Sequence, residues 1–83
     1  MCTIITKSVR TFIGNISTEY YKLTIVNDHV EEEELTSTEA KAYINEHELP
    51  EIYRLDHNHI IWGDVEFKDK CPEYFKLQQH GSN

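Results

Sequence analysis

Apolar and polar residues alternate in two stretches near the start of the chain, residues 3–13 and 19–27. A period of two, with many β-branched and aromatic residues, is typical of half-buried β-strands. Gly14 and Asn15 stand between the two stretches and form a turn signal of the hairpin kind. The pattern therefore predicts an antiparallel hairpin over residues 1–27.

A helical spacing follows the acidic middle of the chain and predicts a helix over residues 37–48. Its apolar face consists of residues three and four apart, namely Ala40, Tyr43, Ile44 and His47. Thr36 is a good N-cap, and Glu39 three residues later completes the signature of a capping box. Pro50 cannot continue a helix, so the helix is expected to end before it.

The last third of the chain predicts two further strands, 51–55 and 60–67, separated by turn residues at 56–59. Residues 72–79 are expected to form a short helix or a docked tail. Residues 80–83 are polar and are expected to fray.

This order of elements, ββαββ, predicts a single α+β domain over residues 1–83. Strands in pairs with one helix imply a small antiparallel sheet with the helix packed on one face. The other face is then partly bare, and Tyr20, Lys22 and Trp62 are expected to lie there. An exposed aromatic face of this kind is a plausible binding surface.

The charge of the chain is unevenly distributed. The formal net charge is −7, and residues 28–51 alone carry −8, whereas residues 1–27 carry +2 and residues 52–83 carry −1. A strongly negative surface repels nucleic acid and anionic membranes and attracts basic partners. We therefore expect a protein partner, with no direct binding of nucleic acid or membrane.

The run Glu31–Glu34 is the strongest single feature of the sequence. One interpretation is an ordinary solvated acidic face, because carboxylates near a helix N-terminus are favourable. However, Glu46 and Glu48 fall at the other end of the predicted helix, where the helix dipole disfavours acids. If the run is extended, Glu32 and Glu34 lie on one side about 6.6 Å apart. This spacing is close to two phosphate steps of about 3.4 Å each along a DNA strand, so the run is a candidate for DNA mimicry.

Catalytic motifs are absent from the sequence. It contains no H-E-x-x-H motif, no G-x-S-x-G turn and no glycine-rich phosphate loop. We therefore expect a protein that is not an enzyme and that has no cofactor and no metal. The most ligand-like cluster is His57 and His59, to which Asp64 or His29 could add a third ligand. The competing interpretation is a polar hairpin turn.

Cys2 and Cys71 lie far apart in the sequence and form no C-x-x-C motif. No stretch reaches the roughly 20 apolar residues of a membrane span, and the first residues lack the apolar run of a signal peptide. We therefore expect a cytoplasmic protein whose two cysteines are free thiols.

Taken together, these features favour a small acidic protein that inhibits or modulates a basic, nucleic-acid-handling partner by occluding it. The composition resembles that of phage-encoded accessory proteins, such as anti-CRISPR and other anti-defence proteins, which bind and block a host protein. The expected contact residues are acidic or aromatic: Glu31, Glu32, Glu33, Glu34, Glu39, Glu46, Glu48, Tyr20, Tyr43, Tyr53 and Trp62. One alternative is an interaction module or homodimer that uses the aromatic sheet face. A second is a small metal-binding protein built on the His57-x-His59 turn.

Overall fold

The computed structural model describes residues 2–72, which form an antiparallel sheet of five strands with two short helices. The elements are β1 (Cys2–Phe12), β2 (Asn15–Val26), β3 (His29–Leu35), α1 (Ser37–Glu46), β4 (Glu51–Asp56), β5 (His59–Gly63) and α2 (Glu66–Lys70). The strand order across the sheet is β3-β2-β1-β5-β4. The predicted α+β class with an antiparallel sheet is confirmed. The predicted ββαββ order is wrong, because a third strand precedes α1 and a second helix follows β5.

Two tight turns connect the first three strands. Ile13 and Gly14 have φ angles of 49° and 78°, and Asn27 and Asp28 have φ angles of 47° and 69°. Positive φ at both central residues is the mark of a type I′ turn, whose twist suits a β-hairpin. The predicted first hairpin is confirmed, although its second strand begins at Asn15, four residues earlier than expected.

The acidic run was expected to lead into the helix, but it forms β3 instead. β3 pairs with β2 along its whole length, from His29 opposite Val26 to Leu35 opposite Tyr20. Four consecutive glutamates have a low β-propensity. The strand forms because β2 offers an unoccupied edge and because the two-residue turn before it fixes the register.

Helix α1 begins where the sequence predicts. The Thr36 hydroxyl oxygen accepts a hydrogen bond from the Glu39 backbone N–H at 3.1 Å. The Glu39 carboxylate accepts one from the Thr36 backbone N–H at 2.9 Å. The capping box is therefore complete, and the helix ends at Glu46, two residues before the predicted end.

The predicted strand over 60–67 stops at Gly63. The Asp64 N–H donates to the Thr3 carbonyl, and the Thr3 N–H donates to the Asp64 carboxylate, both at 3.2 Å. These contacts with β1 turn the chain out of the sheet, and Phe67 enters the core from α2 rather than from a strand. The prediction failed because Ile61, Gly63, Val65 and Phe67 alternate like strand residues.

The sheet has a buried cluster on each face. Ile4 and Ile5 are neighbours on β1, and both are fully buried because they point to opposite faces. On what we call the α2 face, Ile4 packs with Phe67 of α2. On the α1 face, Ile5 packs with Ala40 of α1. The expectation of one helix and one partly bare face is therefore wrong. The predicted helix or tail over 72–79 and the polar end 80–83 lie outside the described residues, apart from Pro72.

Candidate protein-binding surface

The glutamate run lies on an outer strand of the sheet. One side of β3 pairs with β2, and no strand among residues 2–72 pairs with the other side. In an antiparallel strand, alternate residues direct their backbone N–H and C=O groups to opposite sides. The outer side of β3 therefore presents a row of backbone donors and acceptors next to the glutamates.

The residues at the two ends of the run anchor the strand. Val30 lies opposite Ile25 and packs on the α2 face. Leu35 lies opposite Tyr20 and packs on the α1 face. Since these two apolar side chains hold both ends of the run, the four glutamates between them are fixed in register along the edge.

The four carboxylates divide between the two faces of the sheet. Glu31 and Glu33 lie on the α1 face, and Glu32 and Glu34 lie on the α2 face; all four are exposed. Residues two apart on a strand are separated by about 6.6–6.8 Å. The predicted placement of Glu32 and Glu34 on one side is confirmed, and a second such pair flanks the edge on the other side.

Within the described part of the chain, two of these four carboxylates have a basic side chain nearby. Lys22 Nζ lies 3.4 Å from Glu33 Oε1. His29 Nε2 lies 3.5 Å from Glu31 Oε2, which is an ion pair only when the imidazole is protonated. Within residues 2–72, no salt bridge involves Glu32 or Glu34. Among the described residues, the α2-face pair of carboxylates therefore has no cationic partner.

The acidic edge continues into a depression of about 360 Å³ between β2 and the start of α1. Its walls include the carboxylates Glu19, Glu34 and Glu39. On the α2 face, burial, together with the nearby carboxylates of Glu19 and Glu34, raises the pKa of the Tyr21 phenol. A notch lined with carboxylates suits the side chain of an arginine or lysine.

The remaining predicted contact charges lie on α1 or just after it. Glu39 lies at the helix start, where its carboxylate completes the capping box. Glu46 stands seven residues further along the helix, about 10 Å at 1.5 Å per residue. Glu48 follows the helix end in a left-handed conformation with φ 50°. The predicted contact charges therefore occupy three places, namely the edge strand β3, the start of α1 and the end of α1.

The predicted aromatic anchors are also dispersed. Tyr20 is only 7% exposed, and Trp62 is half-buried in the same cluster beneath α1. The expectation that both lie on a bare face is wrong, because Ala40 lets α1 approach the sheet closely there. Tyr53 packs on the α2 face from β4, at the opposite edge of the sheet from β3. A homodimer through an aromatic sheet face would thus need a surface that α1 covers.

Tyr43 is the predicted aromatic residue that lies beside the acidic edge. The Lys22 ammonium group lies 5.2 Å from the centroid of its ring and also pairs with Glu33. The Tyr43 ring packs against the His47 ring with centroids 4.1 Å apart. The candidate surface therefore consists of Glu31–Glu34 on the edge, with Glu39 and Tyr43 beside it.

Among residues 2–72, the most exposed large apolar residues were not identified from the sequence. They surround the first hairpin turn: Phe12 is 67% exposed, Ile13 83% and Ile16 73%. The sequence did contain a signal for their exposure, namely apolar residues on both sides of a tight turn. Such residues are covered only if neighbouring strands extend as far as the turn. Leu55 and Val65 are also exposed.

The His57-x-His59 turn is a polar hairpin connection between β4 and β5. His59 Nδ1 lies 2.9 Å from Asp56 Oδ1, and the Asn58 N–H donates to the same oxygen at 2.8 Å. Lys7 Nζ donates to the His57 carbonyl at 3.0 Å. Within residues 2–72, no group of three or more His, Cys, Asp or Glu side chains is arranged to hold a metal ion.

Cys2 and Cys71 are not joined by a disulfide, in agreement with the prediction. Cys2 is buried on the α2 face, and Cys71 packs against the same cluster. Within the described part of the chain, no helix combines the length and the apolar character needed to cross a membrane.

In comparisons with known proteins, no family model, no curated protein and no solved structure matches this chain.

Proposed function

We propose that this protein is a binding protein rather than an enzyme, and that it inhibits or modulates a basic, nucleic-acid-handling protein by covering that partner's charged site. The observation that carries the proposal is the position of Glu31–Glu34: all four are exposed on the outer edge strand, and Lys22 is the one lysine or arginine that pairs with them among residues 2–72. Blocking of this kind is what the compositional resemblance to phage anti-defence proteins suggests.

Long-range electrostatics supports a basic partner. Residues 28–51 carry a net charge of −8 and include all of β3 and α1. Such a field accelerates encounter with a positively charged surface and repels nucleic acid. Exposed charges are screened beyond about 10 Å at 0.1 M salt, so the association is expected to weaken as salt rises.

The edge geometry suggests how the partner is held. An extended segment of the partner can add to the outer side of β3 as a sixth strand, because the backbone groups there are unpaired within the described chain. Its side chains would alternate between the two faces. Lysines or arginines at successive positions would then meet Glu31 and Glu33 on one face and Glu32 and Glu34 on the other.

The same carboxylates can occupy a phosphate-binding surface without strand addition. The backbone positions of Glu32 and Glu34 are about 6.6–6.8 Å apart along the strand. This is close to the rise of two phosphates along the helix axis of one DNA strand, at about 3.4 Å each. Both modes place β3 over the partner's nucleic-acid site and exclude its ligand. They differ in whether the backbone edge contributes hydrogen bonds.

The test is an affinity capture from a host lysate with three forms of the protein. In the edge variant, Glu31, Glu32, Glu33 and Glu34 are all replaced by Gln. In the matched control, Glu51→Gln and Asp56→Asn on β4, at the opposite edge of the sheet, and Glu66→Gln and Asp69→Asn on α2 remove the same charge from outside β3. We expect the original and the control to capture a basic nucleic-acid-binding protein, in a salt-sensitive manner, and the edge variant to lose it.

Two outcomes would contradict the proposal. Equal capture by the edge variant would show that the glutamates of β3 do not contact the partner. Equal loss of the partner by both variants would show that capture depends on the total charge of the protein and not on the position of the glutamates on β3. For a captured partner, competition with its nucleic acid then measures occlusion directly.

A further inference from the structure

The first hairpin extends beyond the strands that flank it. Pairing of β1 with β5 stops at Lys7, and pairing of β2 with β3 stops at Tyr20. Residues 8–19 therefore form a two-stranded arm of five residue pairs, from Ser8 opposite Glu19 to Phe12 opposite Asn15. At about 3.4 Å per residue, the arm reaches roughly 15 Å past the five-stranded part of the sheet.

The end of the arm is apolar and locally strained. Phe12, Ile13 and Ile16 are each about two-thirds exposed or more. Ile13 has a φ of 49°, in the left-handed region that β-branched residues rarely adopt. An Asn-Gly pair would form the same turn without strain and without an apolar side chain. A conformational outlier that carries an exposed apolar side chain points to a contact made there.

A two-stranded ribbon is marginally stable in water, whereas three or more strands with an apolar face are stable. The arm has an edge on which further strands can be added. Phe12 and Asn15 close the two-residue turn, so the Phe12 backbone groups face β2 and those of Val9 and Thr11 face outward. This outer side of β1 continues the side that pairs with β5 up to Lys7. No strand among residues 2–72 pairs with it beyond that point.

Charge indicates what can approach the arm. Its charged residues are Arg10 and Glu19, which pair with each other at 3.4 Å, so the arm is neutral. With no excess of cations, the arm lacks what attracts nucleic acid or anionic lipid. Two copies of this chain, each with a net charge of −7, repel one another over most of their surfaces. The neutral arm is where that repulsion is weakest.

We propose that the arm is a self-association surface, on which the outer edges of β1 from two copies pair antiparallel about a two-fold axis at Thr11. An isologous pairing of this kind is self-complementary and closes after two copies. Thr11 then faces the second copy's Thr11, and Arg10 faces the second copy's Phe12, with its guanidinium over the ring. The two arms become one four-stranded sheet, and Ile16 lies next to the central threonines on the α1 face.

Position 11 allows a direct test by sedimentation equilibrium of the full chain. The original protein is expected to form dimers as its concentration rises. Thr11→Lys and Thr11→Glu would each place like charges at the two-fold axis, so each variant alone is expected to be monomeric. A one-to-one mixture of the two variants is expected to regain the dimer, because the new charges then attract. Thr18→Lys, on β2 and away from the axis, is the control and is expected to dimerise like the original.

Recovery in the mixture distinguishes loss of pairing from unfolding of the arm. A monomeric original protein at all concentrations would overturn the inference, and so would a dimer that survives Thr11→Lys. A Phe12-dependent flotation with phosphatidylcholine vesicles, without dimerisation, would assign the arm to a lipid surface instead. None of these outcomes bears on the glutamates of β3, so the proposed function is tested separately.

Discussion

Lys22 lies directly opposite Glu33 in the pairing of β2 with β3, and its ammonium nitrogen is 3.4 Å from the Glu33 carboxylate. The same nitrogen lies 5.2 Å from the centroid of the Tyr43 ring. Lys22 therefore connects the acidic edge to helix α1 and neutralises one of the four edge carboxylates.

Replacing Lys22 by Gln is expected to strengthen binding of a basic partner by about twofold, because a surface ion pair of roughly 0.5 kcal/mol no longer competes for Glu33. The free energy of unfolding should fall by less than about 1 kcal/mol. The affinity can be measured by calorimetry with an extended lysine-rich peptide. Arg54→Gln is the matched control, since Arg54 pairs with Glu51 on β4 at the opposite edge. An equal gain in both variants would indicate a general charge effect.

Glu48 occupies a position that favours glycine. The Glu48 N–H donates to the Asn45 carbonyl and the Leu49 N–H donates to the Ile44 carbonyl, which is the Schellman arrangement of a helix end. Glu48 has a φ of 50° there. Glu48→Gly should raise the free energy of unfolding by about 1 kcal/mol through relief of backbone strain.

Glu48→Ala separates this strain from charge. It removes the acid from the helix C-terminus, where a carboxylate is unfavourable by about 0.3–1 kcal/mol, but it keeps the strained φ. Urea titration of both variants should therefore show Gly more stable than Ala. Equal stabilities would mean that backbone strain at Glu48 is negligible.

Gly63 is expected to tolerate no side chain. A Cβ at this position would overlap the Thr3 carbonyl oxygen and lie 2.8 Å from Ile4 Cα, and its φ of 138° is already unfavourable for other residues. Gly63→Ala should lower the free energy of unfolding by more than about 2 kcal/mol. Gly14→Ala is the comparison, since Gly14 has a φ of 78° but open space around it, and it should cost about 1 kcal/mol. Thermal unfolding of the two variants measures the difference.

Asp56 should contribute a pH-dependent part of the stability. The hydrogen bond with His59, followed by that from the Asn58 N–H, holds the pKa of Asp56 below its usual value. A carboxyl whose pKa is lower in the folded state stabilises the protein above its unfolded pKa, and this contribution is lost as the pH falls through the folded pKa. Asp56→Asn should therefore be less stable than the original at neutral pH, and the difference should vanish in acid. Urea midpoints across the acidic range would show whether the two curves converge.

Local signals predicted the parts of the fold that depend on neighbouring residues. The first hairpin follows from alternation and a turn, and α1 follows from Thr36, Glu39 and a helical apolar face, because each of these is stabilised within a few residues. The strand over 51–55 was also predicted nearly in full. The predicted order of elements was wrong at β3 and α2, because contacts with distant segments outweigh local residue preferences there.

The candidate site was predicted in its residues but not in its arrangement. Glu31–Glu34 stood out as a run, yet only the strand order places them on an outer edge. Tyr20 and Trp62 were predicted to be aromatic anchors on a bare face, but they lie beneath α1. The exposed apolar arm was missed, because its exposure depends on where the strands flanking it end.

By itself the sequence determined the charge of the chain, the α+β class, the first hairpin and the capped helix, since these follow from composition and from interactions a few residues apart. The tertiary structure decided which strand is outermost, which face each helix covers and how far the first hairpin projects. Those features depend on pairing between distant segments. Glu32 and Glu34 lie in a strand because they pair with the edge of β2. Phe67 is buried because hydrogen bonds between Asp64 and Thr3 turn the chain toward the core. Local residue preferences cannot specify such long-range pairing.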